Sequence, residues 1–200
     1  MNMKTELLKI DTDTQVPVMR DTRFVLDLSH METDKKYMVN LLFEKEGVEA
    51  ELIVLYKLER GDKLNLTTIV THKVPRTSCL TKVKGVLLDG SESVYVGKIV
   101  IEKPAQLTSS FLQDNVLVIG DNVINNSSPN LQIDANDVKA SHGATTGRVS
   151  EDEVFYLTSR GLGRREAEDL IIQGFFEELL STISDKSIRN KLYERLSYSR

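Results

Sequence analysis

The sequence has one cysteine, Cys79, among its 200 residues, and it has no tryptophan. A single cysteine cannot form a disulfide within the chain, and it excludes a zinc site built from several thiolates. No apolar run approaches the roughly 18 residues that a membrane-spanning helix needs, and the N-terminus shows no hydrophobic signal segment. We therefore expect a cytoplasmic protein that does not contact a membrane.

Positive charge is also in short supply, because 26 Lys and Arg stand against 30 Asp and Glu, for a net charge of −4. That balance argues against a nucleic-acid-binding protein. Basic residues are concentrated between Asp185 and Arg200, where five of them accompany two acidic residues. We interpret this tail as a solvated helical end or, alternatively, as a docking surface for an acidic partner.

Apolar residues alternate along most of the chain before residue 150, which is typical of strands with one buried face. The alternating stretches are Phe24–Leu28, Tyr37–Phe43, Val48–Leu58 and Leu64–Val70, then the shorter Val94–Val96, Ile99–Ile101, Val116–Ile119 and Leu131–Ile133. No helical pattern interrupts residues 20–145, which excludes alternating strands and helices. A sandwich, a barrel and a β-solenoid with short strands after Ser93 all remain compatible.

After Ser150 the apolar spacing changes to three and four residues, as in amphipathic helices. Ser150 and Glu153 have the spacing of a capping box that opens a first helix, and glycines end this helix after Arg160. A third, basic helix is predicted from about Lys186 to Leu196. The second helix carries an apolar face formed by Ala167, Leu170, Ile171, Phe175, Leu179 and Leu180.

Four residues are candidates for chemistry by type alone. Cys79 keeps the phase of its apolar neighbours, so we predict a buried core residue. His30 follows a strand and is interpreted as a surface turn residue. His72 lies on an inward phase and is interpreted as a hydrogen-bonded core histidine rather than a ligand. His142 is surrounded by small residues, which allow an imidazole to face an interface or an ion.

One long segment resembles a known family. Residues 129–145, PNLQIDANDVKASHGAT, are similar to the P-x-L-E-I-x-A-D-D-V-K-C-S-H-G-A-T stretch of the SufB/SufD family, the scaffold subunits of the SUF iron–sulfur cluster assembly machinery. The similarity continues through FYLTSRG at 155–161 to Gly174-Phe175. Upstream, HKVPRTS at 72–78 and VGKIV at 96–100 match in order, so the resemblance covers about residues 64 to 182.

The resemblance implies a mainly β fold: a right-handed parallel β-helix over residues 1–149, followed by a helical segment over 150–200. It implies that two such subunits pair through their β-helices, and that a SufC-like ABC-type ATPase docks on the helical segment. It further implies that an iron–sulfur cluster is transiently built at the interface between the subunits. The partner is then either a SufB-like subunit or a second copy of this chain.

Departures from the family pattern point to the candidate metal ligands. His142 is followed by Gly143, as in the SufD branch, whereas the SufB branch has His-Glu. Asp114 stands where the SufB branch carries its sulfur-accepting cysteine, and Ala140 replaces the cysteine that usually precedes Ser-His-Gly. We therefore expect no persulfide on a family cysteine. His142 and Asp114 remain as iron ligands, because nitrogen and oxygen donors suit ferrous iron.

The sequence thus predicts a scaffold subunit that is not an enzyme. Residues 151–200, with Phe175, Phe176 and the basic tail, are expected to bind the ATPase, and strands between about Ser93 and Asp137 to hold a dimer. Two other classes stay open. One is a degenerate interaction module that only docks the ATPase. The other is a β-helix enzyme acting on polysaccharides, for which the lack of tryptophan is unfavourable.

Overall fold

The chain winds into a parallel β-solenoid of about five turns, followed by three short helices. The computed structural model describes residues 3–28 and 31–196. The parallel β-solenoid implied by the resemblance is confirmed, and the described segments between residues 20 and 145 contain no helix. His30, interpreted as a surface turn residue, lies outside the described residues.

The elements follow one another in a regular order. The strands of the described residues are β1 (Lys4–Lys9), β2 (Thr14–Val18), β3 (Thr22–Asp27), β4 (Lys36–Phe43), β5 (Glu49–Leu58), β6 (Lys63–His72), β7 (Ser78–Leu88), β8 (Glu92–Ile101), β9 (Thr108–Ile119), β10 (Ile124–Ile133) and β11 (Val138–Arg148). The helices are α1 (Glu151–Ser159), α2 (Arg164–Leu180) and α3 (Lys186–Leu196).

Odd-numbered and even-numbered strands form separate sheets. Sheet A has the order β1-β3-β5-β7-β9-β11, and sheet B has the order β10-β8-β6-β4-β2. Neighbouring strands are parallel throughout both sheets. Each turn of the solenoid therefore adds one strand to each sheet, and residues in register on successive turns point to the same face.

The strands after Ser93 are predicted to be only three to five residues long, and for β8 this prediction is wrong. Val94–Val96 and Ile99–Ile101 belong to this single strand of 10 residues. Ser93 and Gly97 occupy two of its buried positions, so the inward row does not look apolar in the sequence. Glycine is required at 97 because a Cβ atom there would lie 2.8 Å from the Tyr95 hydroxyl oxygen.

The two residues interpreted as core residues, His72 and Cys79, lie inside the solenoid. His72 is fully buried, with Nδ1 2.8 Å from Thr77 Oγ1 and Nε2 3.0 Å from Ser110 Oγ. Its ring stacks on Phe43 with 4.4 Å between centroids. Burial raises the pKa of the Cys79 thiol to about 12, so this thiol stays protonated and unreactive. Both interpretations are confirmed.

Helices α2 and α3 cover the outer face of sheet A. Outward side chains of the sheet, including Ile53 and Val86, form one apolar cluster with Phe176 of α2 and Leu192 of α3. Such burial is the main source of stability for a short helix. The helices and the sheet thus share one apolar cluster. The division into two domains, residues 1–149 and 150–200, stays a prediction.

One lysine joins α2 to the solenoid. Lys84 projects outward from β7, and its Nζ donates to the Phe175 carbonyl oxygen and to Glu178 Oε2, both at 2.6 Å. The same ammonium group lies 4.5 Å from the centroid of the Phe175 ring. The ion pair with Lys84 lowers the pKa of Glu178. A buried charge with these partners fixes the position of α2 along the sheet.

Two helical predictions are wrong in detail. Ser150 precedes α1 but makes no side-chain capping hydrogen bond, so the capping box with Glu153 does not form. A carboxylate instead caps α2, where the Gly163 amide donates to Glu166 Oε2 at 2.7 Å. The apolar face of α2 is also rotated from the predicted one, since Leu170 is 48% exposed.

Candidate functional site

The C-terminal end of the solenoid is open. Strands β10 and β11 are the outermost strands of their sheets, so one side of each backbone has no strand partner within the described residues. Register with the buried positions of β9 identifies the inward row of β11, which consists of Val138, Ala140, His142, Ala144, Thr146 and Arg148. These residues are largely exposed because no further turn covers them.

Apolar side chains are also exposed on this last turn. Ile124, Leu131 and Ile133 of β10 are 56%, 36% and 39% exposed. Neighbouring residues of β11 are small, and a Cβ atom added at Gly143 or Gly147 would meet nothing within 4 Å. A long edge that combines unpaired backbone with exposed apolar side chains and small residues is a surface suited to strand pairing.

The N-terminal end of the solenoid has a short edge strand with an inward-pointing charge. Strand β1 is shorter, and its inward position Glu6 carries a charge where the next turn has Phe24. Glu6 Oε1 accepts from Lys4 Nζ at 3.0 Å and from Arg20 Nη2 at 2.8 Å, and these bonds lower its pKa. Short edge strands with inward-pointing charges oppose pairing. The C-terminal end is therefore the one that favours association.

The two predicted metal ligands lie on neighbouring turns and on the same face. His142 of β11 is in register with Leu112 of β9, and Asp114 is in register with Ala144. The two residues are thus offset by two positions along adjacent strands. His142 is exposed at the open end, whereas Asp114 lies one turn deeper and is 1% exposed.

Asp114 has an incomplete set of hydrogen bonds. Its Oδ2 accepts a hydrogen bond from Ser127 Oγ of β10, but its buried Oδ1 has no partner among the described residues. Burial raises the pKa of this carboxyl group, and the Ser127 hydrogen bond offsets only part of the shift. An unpaired oxygen atom in the interior is costly unless another group reaches it. The methyl group of Ala144 is the in-register side chain between Asp114 and the open end.

A complete metal site is not formed by one chain alone. Among residues 3–28 and 31–196, no group of three or more His, Cys, Asp or Glu side chains is arranged to hold a metal ion. His142 offers an imidazole at the surface, and Asp114 offers a carboxyl group below it. Together they supply at most part of a coordination sphere, which a second subunit would have to complete.

A second candidate surface lies on α1 and the adjacent part of α2. Phe155 is 73% exposed, Tyr156 57% and Leu170 48%. The Arg160 guanidinium lies 5.2 Å from the centroid of the Tyr156 ring. Exposed aromatic side chains beside an arginine are common in protein interfaces. The helical spacing does not single out Phe155. Among the residues of α1 only Val154 is buried, so most of this short helix faces away from the solenoid.

The buried position of Phe176 bears on the predicted docking of the ATPase. The sequence pattern predicts that Phe175 and Phe176 contribute to binding the ATPase, but Phe176 is 1% exposed and packs on sheet A. Its ring is buried between α2 and sheet A and cannot contact a partner. The prediction is wrong for Phe176, because the outer face of sheet A is apolar and needs a cover, which the sequence pattern does not reveal. For Phe175, which is half-buried, and for the basic tail it stays a prediction.

The described residues thus form a solenoid with unpaired edge strands at its C-terminal end, followed by a helix with exposed aromatic side chains. Residues 16–175 match the family described as "SUF system FeS cluster assembly, SufBD core domain". The chain belongs to this SufBD family of iron–sulfur cluster assembly proteins. In the described part of the chain, no helix is long and apolar enough to cross a membrane.

Curated relatives agree with this assignment. An iron–sulfur cluster assembly SufBD family protein of Mycobacterium leprae is 32% identical over 80% of this chain and 43% of its own length. The iron–sulfur cluster assembly protein SufD of Escherichia coli is 34% identical over 56% of this chain and 27% of its own length. SufD of Bacillus subtilis is 31% identical over 66% and 31%, respectively. The chain thus spans less than half the length of these relatives.

Proposed function

We propose that this chain is a non-enzymatic scaffold subunit of a SUF-type assembly complex in the cytoplasm. In this role it binds a SufC-like ABC-type ATPase and receives iron for a transient iron–sulfur cluster at an interface between subunits. The observation that carries the proposal is the position of His142, an exposed imidazole on the inward row of an open solenoid end in a SufBD core domain.

Iron is the cargo of this scaffold, and His142 is its proposed first ligand. Asp114 is the proposed second ligand, because its buried Oδ1 has no hydrogen-bond partner among the described residues and its strand is adjacent to that of His142. Sulfide has to arrive with a partner, because Cys79 is 1% exposed and its thiol has a raised pKa. The mixed nitrogen and oxygen donors suit ferrous iron.

Replacement of His142 by alanine tests the metal site. We expect His142→Ala, co-expressed with the ATPase and purified without oxygen, to lose most of its iron, because losing a ligand costs more than the roughly 10–100-fold seen for residues behind the ligands. The melting temperature should stay within about 1 °C of the parent, since the imidazole is exposed and lies outside the core clusters. Iron content and melting temperature are measured on the same preparation.

Asp114→Asn serves as the matched variant for the second ligand. If Asp114 binds iron, this amide variant loses iron as well, although its shape is unchanged. Full iron content in Asp114→Asn would show that Asp114 does not bind iron, and His142 would remain the only proposed ligand. A His142→Ala protein that keeps its iron but melts at a lower temperature would show that the imidazole is structural, which contradicts the proposed site.

Docking of the ATPase is assigned to the surface formed by Phe155, Tyr156 and Leu170. We expect Phe155→Asp to weaken ATPase binding about thirtyfold, because an interface aromatic of this kind contributes about 2 kcal/mol. The control is Met19→Asp, which alters another exposed apolar side chain, 54% exposed, near the N-terminal turn. Titration calorimetry with the full chain is the measurement. Equal affinities for the two variants would contradict docking on α1.

An interaction module without iron is the second candidate function. It is favoured by the absence of a three-donor metal group within the described residues. This module would bind the ATPase in the same assay while every preparation stays free of iron. The polysaccharide-acting enzyme has less support, since Tyr37, Tyr56 and Tyr95 lie inside the solenoid and cannot line an outer groove.

A further inference from the structure

Helix α1 is held in place by few packed side chains. Its main contacts are with α2, and Val154 is its only buried residue. A helix of 9 residues is too short to stay folded in water on its own, and it normally depends on the burial of an apolar face. Because α1 buries so little, other bonds have to hold it against the rest of the chain.

Open spaces border α1. A groove of about 500 Å³ is lined by the ends of β7, β9 and β11 together with the first residues of α1 and α2. A smaller cleft of about 150 Å³ lies between α1 and α2. Glu151 and Arg164 line both spaces, so this pair of side chains lies between them. The position of α1 therefore depends more on this pair than on close packing.

Arg164 bonds to one carboxylate of each helix. Its Nη1 and Nη2 donate to Glu151 of α1 at 3.0 and 2.6 Å, and its Nε donates to Glu168 of α2 at 2.9 Å. A bidentate guanidinium–carboxylate pair is stronger and more directional than a single contact. Arg164 and Glu151 are both more than half exposed, which weakens each bond. The bond to Glu168 restrains the guanidinium in advance, so holding Glu151 costs less side-chain entropy.

The connection between the two helices allows them to separate. Gly161 has a φ of +99°, a conformation natural to glycine, and a Cβ atom there would meet nothing within 4 Å. We propose that Arg164 is a latch for α1. While Arg164 is bonded to Glu151, α1 stays folded against α2. When these bonds break, α1 turns away at Gly161 and unfolds. Arg164 is thus a positioning residue that acts through α1.

The latch controls the surface proposed for docking of the ATPase. That surface combines Phe155 and Tyr156 of α1 with Leu170 of α2, so it exists only while the two helices are held together. This consequence rests on the proposed function, whereas the latch itself is a property of the chain alone. Since the bonds of the latch are ionic and exposed, a rise in salt concentration weakens them.

Hydrogen exchange of the full chain without a partner tests the latch. In Arg164→Gln we expect the amides of residues 155–159 to exchange about fivefold faster, because the bonds to Glu151 are lost. The amides of residues 176–180 should be unchanged, since that part of α2 packs on sheet A. The control is Arg165→Gln, which removes the same charge from the next position, where the side chain is exposed. Equal exchange of α1 in the two variants would overturn the proposal.

Further variants show whether Arg164 acts through Glu151. Glu151→Gln should accelerate exchange of residues 155–159 as Arg164→Gln does, and the double variant should be no faster than either single variant. Arg164→Lys keeps the charge without the bidentate geometry, so its exchange rate should lie between those of the parent and Arg164→Gln. Raising the salt from about 0.1 M to about 1 M should accelerate exchange in the parent and not in Arg164→Gln. A double variant with the product of the two single effects would contradict the latch.

Addition of the ATPase separates the latch from the proposed function. If α1 belongs to the docking surface, bound ATPase should slow exchange of residues 155–159 at least about tenfold and remove the difference between Arg164→Gln and the parent. An ATPase that binds without protecting α1 would refute docking on this helix and leave the latch intact. Protection of α1 together with equal exchange in Arg164→Gln and Arg165→Gln would refute the latch and preserve docking.

Discussion

Gly85→Ala is expected to lower the free energy of unfolding by about 3 kcal/mol, a large loss for a single methyl group. Gly85 lies on the inward row of β7, in register with Tyr56 of β5, and the Tyr56 ring crosses over it. A Cβ atom at position 85 would be 2.2 Å from Tyr56 Cζ and 2.5 Å from its hydroxyl oxygen. The ring cannot move aside, because it is 2% exposed and its hydroxyl lies 3.3 Å from Ser93 Oγ.

Thermal unfolding measures this effect, and the expected decrease in melting temperature is about 6–12 °C for a chain of this size. The control is Gly174→Ala in α2, where a Cβ atom would meet nothing within 4 Å. That variant should gain about 0.5–1 kcal/mol from helix propensity. Adding Tyr56→Leu to Gly85→Ala should recover part of the loss. Additive effects of the two substitutions would contradict a direct clash.

Gly85 also illustrates which strands the sequence can predict. Strands β4 to β6 keep mostly apolar residues on the inward row and are found by simple alternation. Strand β7 places Gly85 inward, and it buries Val86 and Leu88 on the outer side under the helices. Its pattern therefore matches neither one-sided alternation nor a turn. The resemblance is enough to predict the fold class. Predicting β7 requires knowing that Tyr56 covers its inward face and that the helices cover its outward face.

The candidate site shows the same limit. The family motif points to His142 and Asp114 residue by residue, and nothing in their spacing of 28 positions relates them in space. Their adjacency arises because β9 and β11 are consecutive strands of sheet A, with β10 in the other sheet. His142 is exposed and Asp114 is buried because β11 belongs to the last turn of the solenoid and β9 to the turn before it. A sequence pattern does not state which turn is last, so the burial of Asp114 could not be predicted.

Acidification is expected to remove about 3 kcal/mol of stability through His72 alone. Burial lowers the pKa of His72 from its ordinary value of 6.5 to about 4. Both ring nitrogens are already paired with hydroxyl groups, Thr77 Oγ1 and Ser110 Oγ, and the imidazole stacks on Phe43. No carboxylate is among these hydrogen-bond partners, so no opposite charge offsets the desolvation of the imidazolium.

The sign follows from proton uptake. The unfolded chain protonates His72 near pH 6.5, whereas the folded chain does so only near pH 4. Between these values the unfolded state binds more protons, so stability is fully present above pH 6.5 and is lost as the pH falls toward 4. Asp114 acts in the opposite direction, because its raised pKa means that the folded state takes up a proton before the unfolded chain does. Its contribution offsets part of the His72 effect in the parent.

A comparison with His72→Gln isolates the histidine from Asp114. Glutamine can donate and accept hydrogen bonds near Thr77 and Ser110, but it does not titrate. The variant is less stable than the parent at pH 7.5, because it loses the ring stacked on Phe43. Urea unfolding at half-unit intervals should show this difference in free energy shrinking by about 3 kcal/mol between pH 7.5 and 4. The Asp114 term is common to both proteins and cancels. A difference that is independent of pH would mean that His72 titrates normally in the folded chain, and that its burial inside the solenoid has no electrostatic cost.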